Sequence, residues 1–260
     1  MLKGLNAIVT GSTSGIGLGI ANVLASKGAN LVINGFGDAA AIEAERANLE
    51  AKYGVKVVYS GADISKPADV KAMVELCVSS FGSVDILVNN AGIQYTESVE
   101  AFPAERWDAI IAINLSGIFH AIQAALPHMK AKGFGRIINI ASVHGLIGSV
   151  HKVAYVAAKH GVVGMSKVVA LETAGTGVTC NTICPGWVHT PLVQKQIEDK
   201  AAAQGISIEQ ATEDLLIAKQ PSKQFATPEQ MGELAAFLSS QAAAQMTGIA
   251  IPVDGGWTAQ

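Results

Sequence analysis

The sequence predicts a doubly wound α/β fold, a parallel seven-stranded sheet with helices on both faces. Three observations lead there. Short apolar runs rich in Val and Ile recur along the chain, separated by longer stretches of helical period. Strands of that kind, each followed by a helix, build a parallel sheet covered on both sides. A glycine-rich turn follows the first run directly, and half of the 260 residues are hydrophobic, enough for one large core.

The strand candidates, in order, are LNAIVT (5–10), NLVIN (30–34), VKVVYS (55–60), DILVNN (85–90), GRIINIA (135–141), GVTCNTIC (177–184) and IAIPV (249–253). Helical patterns such as IEAERANLEAKYG and PADVKAMVELCVSSFG fill the intervals. No Pro- or Ser-rich linker, repeat or low-complexity tract divides the chain, so a single domain over 1–260 is expected. Residues 190–222, TPLVQKQIEDKAAAQGISIEQATEDLLIAKQPS, form a polar helical insertion between the sixth and seventh strands. Ligands of open α/β sheets sit beyond the strand carboxyl ends, where such an insertion can serve as a lid.

Composition narrows the function classes. Net charge is −3 and no basic run occurs, which argues against nucleic acid or an anionic membrane as partner. Cys77, Cys180 and Cys184 show no CxxC or metal spacing and read as free thiols of a reducing compartment. No His pairs with an acid at metal-ligand spacing, so no metal is expected. The apolar run at the start is shorter than the ~7–15 residues of a signal h-region. No segment is expected to reach the ~18 apolar residues of a membrane span. A cytoplasmic protein is the expectation.

The first strand runs into TGSTSGIGLG. Gly11, Gly15 and Gly17 are spaced GxxxGxG, with Thr13, Ser14 and Ile16 between them. Glycine allows positive φ and close backbone approach, and the N-terminus of the following helix favours a phosphate. A GK[ST] sequence is absent, which disfavours a triphosphate P-loop. In dinucleotide folds an acid ending the second strand binds the ribose 2′-OH, and a nearby Arg accepts a 2′-phosphate. Here that strand ends NGFGD, no Arg or Lys occurs from Gly35 to Glu45, and Asp38 comes late. Phe36 is placed to pack beside an adenosine ribose with no cation for a phosphate. The expected cofactor is therefore NAD rather than NADP. Asp63 and Ile64, in GADIS after the third strand, are placed beside the adenine, with Asp63 as acceptor for its amino group.

The stretch SVHGLIGSVHKVAYVAAKHG carries the chemistry. Tyr155 and Lys159 lie four apart on one helical face. An ammonium near a phenol favours phenolate and is expected to lower a tyrosine pKa from its usual value of about 10. Ser142 ends the fifth strand and can donate to a carbonyl oxygen while the tyrosine exchanges a proton. This suits alcohol–ketone interconversion with a nicotinamide.

TGSTSGIG, NNAG (89–92), Asn114, Ser142, YVAAK (155–159) and PGWVHTP (185–191) together resemble the classical short-chain dehydrogenase/reductase family across essentially the whole chain. The resemblance implies Tyr155 as acid/base and Lys159 as the group that lowers its pKa and holds the nicotinamide ribose. It implies Ser142 as donor to the substrate oxygen and Asn114 as holder of a water that links Lys159 to solvent. Asn90, Ala91 and Gly92 would line the cofactor cleft. Pro185, Gly186, Val188 and Thr190 would hold the nicotinamide side. A homotetramer is implied as well.

Gln94, His144, Lys152, Trp187, Gln196 and Trp257 cluster in sequence near Tyr155 and the lid. A cation at Lys152 can pair with a carboxylate, assisted by amide and imidazole donors. Two tryptophans can enclose a small apolar group. With NGFGD, NNAGIQ, TPLVQKQI, KQPS and DGGW, these residues resemble the members of that family that act on short hydroxy acids, and the resemblance implies NAD-linked oxidation of a short (R)-3-hydroxy acid. It also assigns Gln94, His144, Lys152 and Gln196 to the carboxylate. Tyr95 and His189 stand where a His and an Arg are usual in such enzymes. A 3-oxoacyl thioester reductase is the nearest rival reading. A non-catalytic dinucleotide sensor is the remote one, and it would be expected to lose one of Asn114, Ser142, Tyr155 or Lys159.

Overall fold

A computed structural model describes residues 1–260. Seven strands form one sheet: β1 (Asn6–Val9), β2 (Asn30–Asn34), β3 (Val57–Ser60), β4 (Ile86–Asn89), β5 (Gly135–Ile140), β6 (Val178–Pro185) and β7 (Ala250–Val253). Each falls on an expected run. Every pairing is parallel, in the order β3-β2-β1-β4-β5-β6-β7. The order reverses between β1 and β4, and a crevice opens there at the carboxyl ends of the strands.

Strand alternation splits the apolar residues between two cores. Val9, Leu31, Ile33, Ile86 and Val88 face α1 (Gly15–Ser26) and a C-terminal helix, Pro228–Ser239, through Ile20, Leu24, Met231 and Leu238. Ile8, Val32 and Leu87 face the other way. They meet α3 (Pro67–Phe81), which follows α2 (Ala39–Tyr53), and a helix at Gly117–Lys132, through Val70, Met73, Ile118 and Ala125. Period two in the strands thus supplies both layers at once.

The stretch 104–132 is not one regular helix. It consists of α4 (Ala104–Ile111), a π turn at Ala112–Ser116 and α5 (Gly117–Lys132). By length and composition Ala104–Lys132 is apolar enough to cross a membrane, where no such segment was expected. Many of those apolar side chains, including Ile118, Ala121, Ile122, Ala125 and Met129, lie in the second core.

Helix α6 (Val153–Glu172) follows β5 and leads into β6. The insertion then folds as α7 (Pro191–Gln204) and α8 (Ile208–Ile217), and α9 is the helix Pro228–Ser239. Thr190 and Ser207 cap α7 and α8 with side-chain oxygens. The helical pair has its own small core of Val193, Ile197, Ala201 and Ala211, joined by Trp187 and Phe225. It stands at the carboxyl end of β6.

Candidate active site

Two cavities lie along the crevice and share Ile16, Asn90, Gly92, Ile93, Thr190 and Leu192 in their walls. The first, of about 450 Å³, is bounded by the glycine loop and the ends of β2 and β3. Gly11, Thr13, Ser14, Gly15, Phe36, Asp63, Ile64 and Ala91 all line it. Gly15 has φ of +54°, which opens the turn into α1. Ser14 is the N-cap of α1 but makes no side-chain cap bond. The first N–H groups of that helix thus keep their capacity to meet an anion.

Gly17 departs from its expected place, because it lines neither cavity. A Cβ there would stand 2.1 Å from the Gly11 carbonyl oxygen and 2.5 Å from Asn90 Nδ2. It is glycine so that the helix can press against the back of the loop. Asn90 Nδ2 donates to the carbonyls of Thr10 and Gly11, both at 3.0 Å. Thr10 Oγ1 accepts from Asn90 N and Ala91 N at 2.9 and 3.0 Å. Asn34 is buried and ties three strand ends together. Its Oδ1 accepts from Gly11 N at 3.2 Å, and its Nδ2 donates to the carbonyls of Ser60 and Ala62. Thr10 and Asn34 are functional supports that the sequence reading missed. Thr10 carries no pattern beyond its place before the loop, and Asn34 stands in the sequence only where an acid is usual.

Phe36 is exposed on the outer rim of this cavity, and no Lys or Arg lines the wall. Asp38 caps α2 by accepting from Ala41 N, outside the cavity. Asp63 Oδ1 accepts from Ser65 N and Ser65 Oγ at 2.9 and 2.7 Å. Those bonds hold the carboxyl below its ordinary pKa, so Asp63 is an anion with Oδ2 beside Lys66 at 3.5 Å.

The second cavity, of about 690 Å³, opens toward the lid. All eight expected substrate residues line it: Gln94, Ser142, His144, Lys152, Tyr155, Trp187, Gln196 and Trp257. Lys159, Pro185, Gly186 and Val188 complete the wall on the side of the first cavity. They come from several elements. Ser142 caps the 3₁₀ turn Val143–Gly145 after β5, Tyr155 and Lys159 sit in the first turns of α6, and Gln196 belongs to α7. Trp187 follows β6 and Trp257 opens the last turn of the chain, so both tryptophans flank the lid rather than belong to it. Their rings stack with centroids 6.3 Å apart, and His144 meets Trp257 edge-on at 5.5 Å. Tyr95 also lines the cavity and packs edge-on against Phe102. His189 lies outside, with Nε2 3.2 Å from Gln194 Oε1.

Lys159 is buried and donates to the Ile140 carbonyl at 2.7 Å. Burial pushes its pKa down to about 8. Tyr155 behaves otherwise than the sequence suggested. Burial raises its pKa, and a hydrogen bond from Ser142, not the Lys159 charge, is what opposes the rise. In this arrangement the phenol keeps its proton, because desolvating a phenolate outweighs the pull of a partner that is itself desolvated. Asn114, fully buried in the π turn, uses its amide on one residue. Oδ1 accepts from Ile93 N and Nδ2 donates to Ile93 O, both at 2.9 Å. Its side chain in this structure anchors the loop after β4.

Lys152 and Lys159 are the charged residues of this cavity, and no Asp or Glu lines it. The Lys152 ammonium lies 6.0 Å from the Trp187 ring centre, and burial lowers its pKa. Trp187 Nε1 is buried without a protein partner, which is costly unless a ligand accepts from it. A cavity with unpaired cations at one wall and a Ser–Tyr pair beside them can hold an anion next to a reacting oxygen.

A family profile described as Enoyl-(Acyl carrier protein) reductase matches residues 11–258. The chain is a short-chain dehydrogenase/reductase. It is 61% identical over 260 residues to a D-beta-hydroxybutyrate dehydrogenase of Cupriavidus necator, covering 100% of both chains. It is 53% identical to a D-beta-hydroxybutyrate dehydrogenase of Rhizobium meliloti, covering 98% of each. The L-sorbose reductase of Gluconobacter frateurii, solved with NADPH and L-sorbose, superposes with a TM-score of 0.95 at 31% identity, covering 100% of this chain and 98% of that one.

Proposed function

We propose that this enzyme oxidises (R)-3-hydroxybutyrate to acetoacetate with NAD⁺, reversibly. The observation that carries the reading is the second cavity, where two lysines and no acid stand beside Ser142 and Tyr155. A short hydroxy acid fits it, with its carboxylate at Gln94, His144, Lys152 and Gln196 and its methyl group at the stacked tryptophans. Both curated relatives named above bear the corresponding activity in their names.

The first cavity supports NAD as the cofactor. The free helix N-terminus suits the pyrophosphate, and Phe36 without a neighbouring cation suits a ribose lacking a 2′-phosphate. Bound NAD⁺ supplies the two-electron acceptor for the hydrogen on the carbinol carbon. Gly11, Thr13, Ser14, Gly15, Ile16, Asp63, Ile64 and Asn90 to Gly92 would hold its adenosine and phosphates. Lys159, Thr190 and the backbone from Pro185 to Val188 hold the nicotinamide side. In reduction Tyr155 gives its phenolic proton to the carbonyl oxygen; in oxidation it first releases that proton to solvent, and the resulting phenolate takes the alcohol proton. Ser142 donates to the same oxygen, and Asn114 keeps the loop after β4 in register with both. Helices α7 and α8 act as the lid of a single domain. A homotetramer in the cytoplasm, working in ketone-body metabolism without nucleic acid, membrane or metal, belongs to this proposal.

The reading is tested by comparing (R)-3-hydroxybutyrate with its methyl ester. The free acid should be strongly preferred through KM. Equal use of the ester would show that the lysine wall does not select a carboxylate and would favour the thioester-reductase alternative.

A further inference from the structure

The lid returns to the sheet through KQPS, and the chain closes on DGGW. Gln220, in the turn after α8, is buried at 1% exposure, although its neighbours Lys219 and Pro221 are exposed. A buried amide needs partners at both of its ends. Its Oε1 accepts from Trp187 N at 3.0 Å, and its Nε2 donates to the Gln224 carbonyl. A backbone donor on one side and a backbone acceptor on the other fix which way the amide lies. The Trp187 carbonyl accepts from Ala226 N at 2.9 Å, so the segment after the lid clamps that residue at both its backbone groups. The same segment packs on the turn before Trp257, where Ser222 N donates to the Gly255 carbonyl at 3.0 Å. A Cβ on Gly186 would stand 2.8 Å from Gln220 Oε1, and one on Gly255 would stand 2.7 Å from Gln220 Cγ. Glycine on both sides thus lets the turns bearing Trp187 and Trp257 close onto one side chain.

We infer that Gln220 is a positioning residue: it fixes the Trp187–Trp257 wall and so holds the pocket to a methyl end on the substrate chain. Gln220 lines neither cavity and acts only through Trp187 and the turn at 255–257. The two indoles it holds stack with centroids 6.3 Å apart on the cavity wall. A fixed apolar wall rejects an added methylene, whereas a wall free to shift takes it in. The lid reaches the wall through the same residue, because Gln220 N donates to the Leu216 carbonyl at 2.7 Å, in the last turn of α8. The inference rests on the hydroxybutyrate reading of the same site.

Gln220→Met keeps the length of the side chain and removes both of its amide hydrogen bonds. Steady-state kinetics with NAD⁺ compare (R)-3-hydroxybutyrate with (R)-3-hydroxyvalerate, which is longer by a single methylene. The ratio of kcat/KM for the shorter acid over the longer should fall about tenfold in Gln220→Met, the lower end of what a pocket gains by rejecting a methylene. KM for (R)-3-hydroxybutyrate should rise, and KM for NAD⁺ should change little. A residue that only stabilises the fold would lower Tm and leave the ratio where it is. NADH binding by fluorescence verifies the fold. Gln220→Asn, whose amide is too short to reach both partners, replaces Gln220→Met with the same expectation if that variant fails to bind. The inference is overturned if the ratio is unchanged in a variant that binds NADH. It is overturned as well if KM for NAD⁺ rises as far as KM for the acid, which marks a general loosening of the crevice. Unchanged selectivity in an active enzyme overturns this inference alone. Wild-type protein that does not turn over (R)-3-hydroxybutyrate would overturn the functional reading first, and this inference with it.

Discussion

Lys159 holds its ammonium 5.5 Å from the ring centre of Tyr155 while donating to the Ile140 carbonyl at 2.7 Å. Burial pushes both groups toward their neutral forms, the phenol upward and the ammonium down to about 8. The tyrosine therefore rests as the phenol, the form that donates in reduction, and oxidation requires that this proton first leave to solvent.

Tyr155→Phe removes only the phenolic oxygen from this arrangement. Turnover should fall by about 10²–10⁴-fold, the usual worth of a positioned acid/base. NADH affinity, measured by fluorescence titration, should stay near the wild-type value. Retained turnover would exclude Tyr155 as the acid/base.

Lys152 has no carboxylate partner in the protein, so its charge is available to substrate. Lys152→Ala should raise KM for (R)-3-hydroxybutyrate about 30-fold, corresponding to a charge-assisted hydrogen bond of about 2 kcal/mol. KM for NAD⁺ should change little. An unchanged KM for the acid would place the carboxylate elsewhere.

Phe36 stands at the rim of the first cavity with 69% of its surface exposed, so a longer polar side chain can be accommodated there. Phe36→Arg should raise kcat/KM for NADP⁺ about tenfold by pairing with the 2′-phosphate. Steady-state kinetics with both cofactors read this directly. No gain would mean that selection against the phosphate lies outside the β2 end.

His144 gives the pH dependence. Its folded-state pKa is pushed down to about 4 from 6.5, first by burial and then by Lys152. Between those values the unfolded chain binds more protons than the folded one, so stability falls as pH drops from 6.5 to 4. Urea unfolding from pH 7 to pH 5 should show a smaller loss for His144→Asn than for wild type. NMR of the imidazole should show its titration moving upward in Lys152→Met. An unmoved titration would mean that Lys152 does not face His144.

Strand positions and their parallel pairing were legible because almost wholly apolar runs leave little choice in a buried parallel sheet. The glycine loop and the Ser142, Tyr155, Lys159 set were legible for a related reason, since few roles suit those residue types at those spacings. The π turn around Asn114 was not, because AINLS has no local mark that distinguishes it from ordinary helix. Nor was the packing role of Gly17, which depends on a carbonyl six residues earlier folding back upon it. The direction of the Tyr155 shift also escaped. Helical spacing reports which groups are neighbours, whereas burial by the whole cavity decides which charge survives.

The most direct measurement is NADH formation with (R)- and (S)-3-hydroxybutyrate, each in the presence of NAD⁺ or NADP⁺. The account predicts strong turnover only for the (R) acid with NAD⁺. Equal turnover of both enantiomers, preference for NADP⁺, or no oxidation of the (R) acid by protein that binds NADH would contradict it.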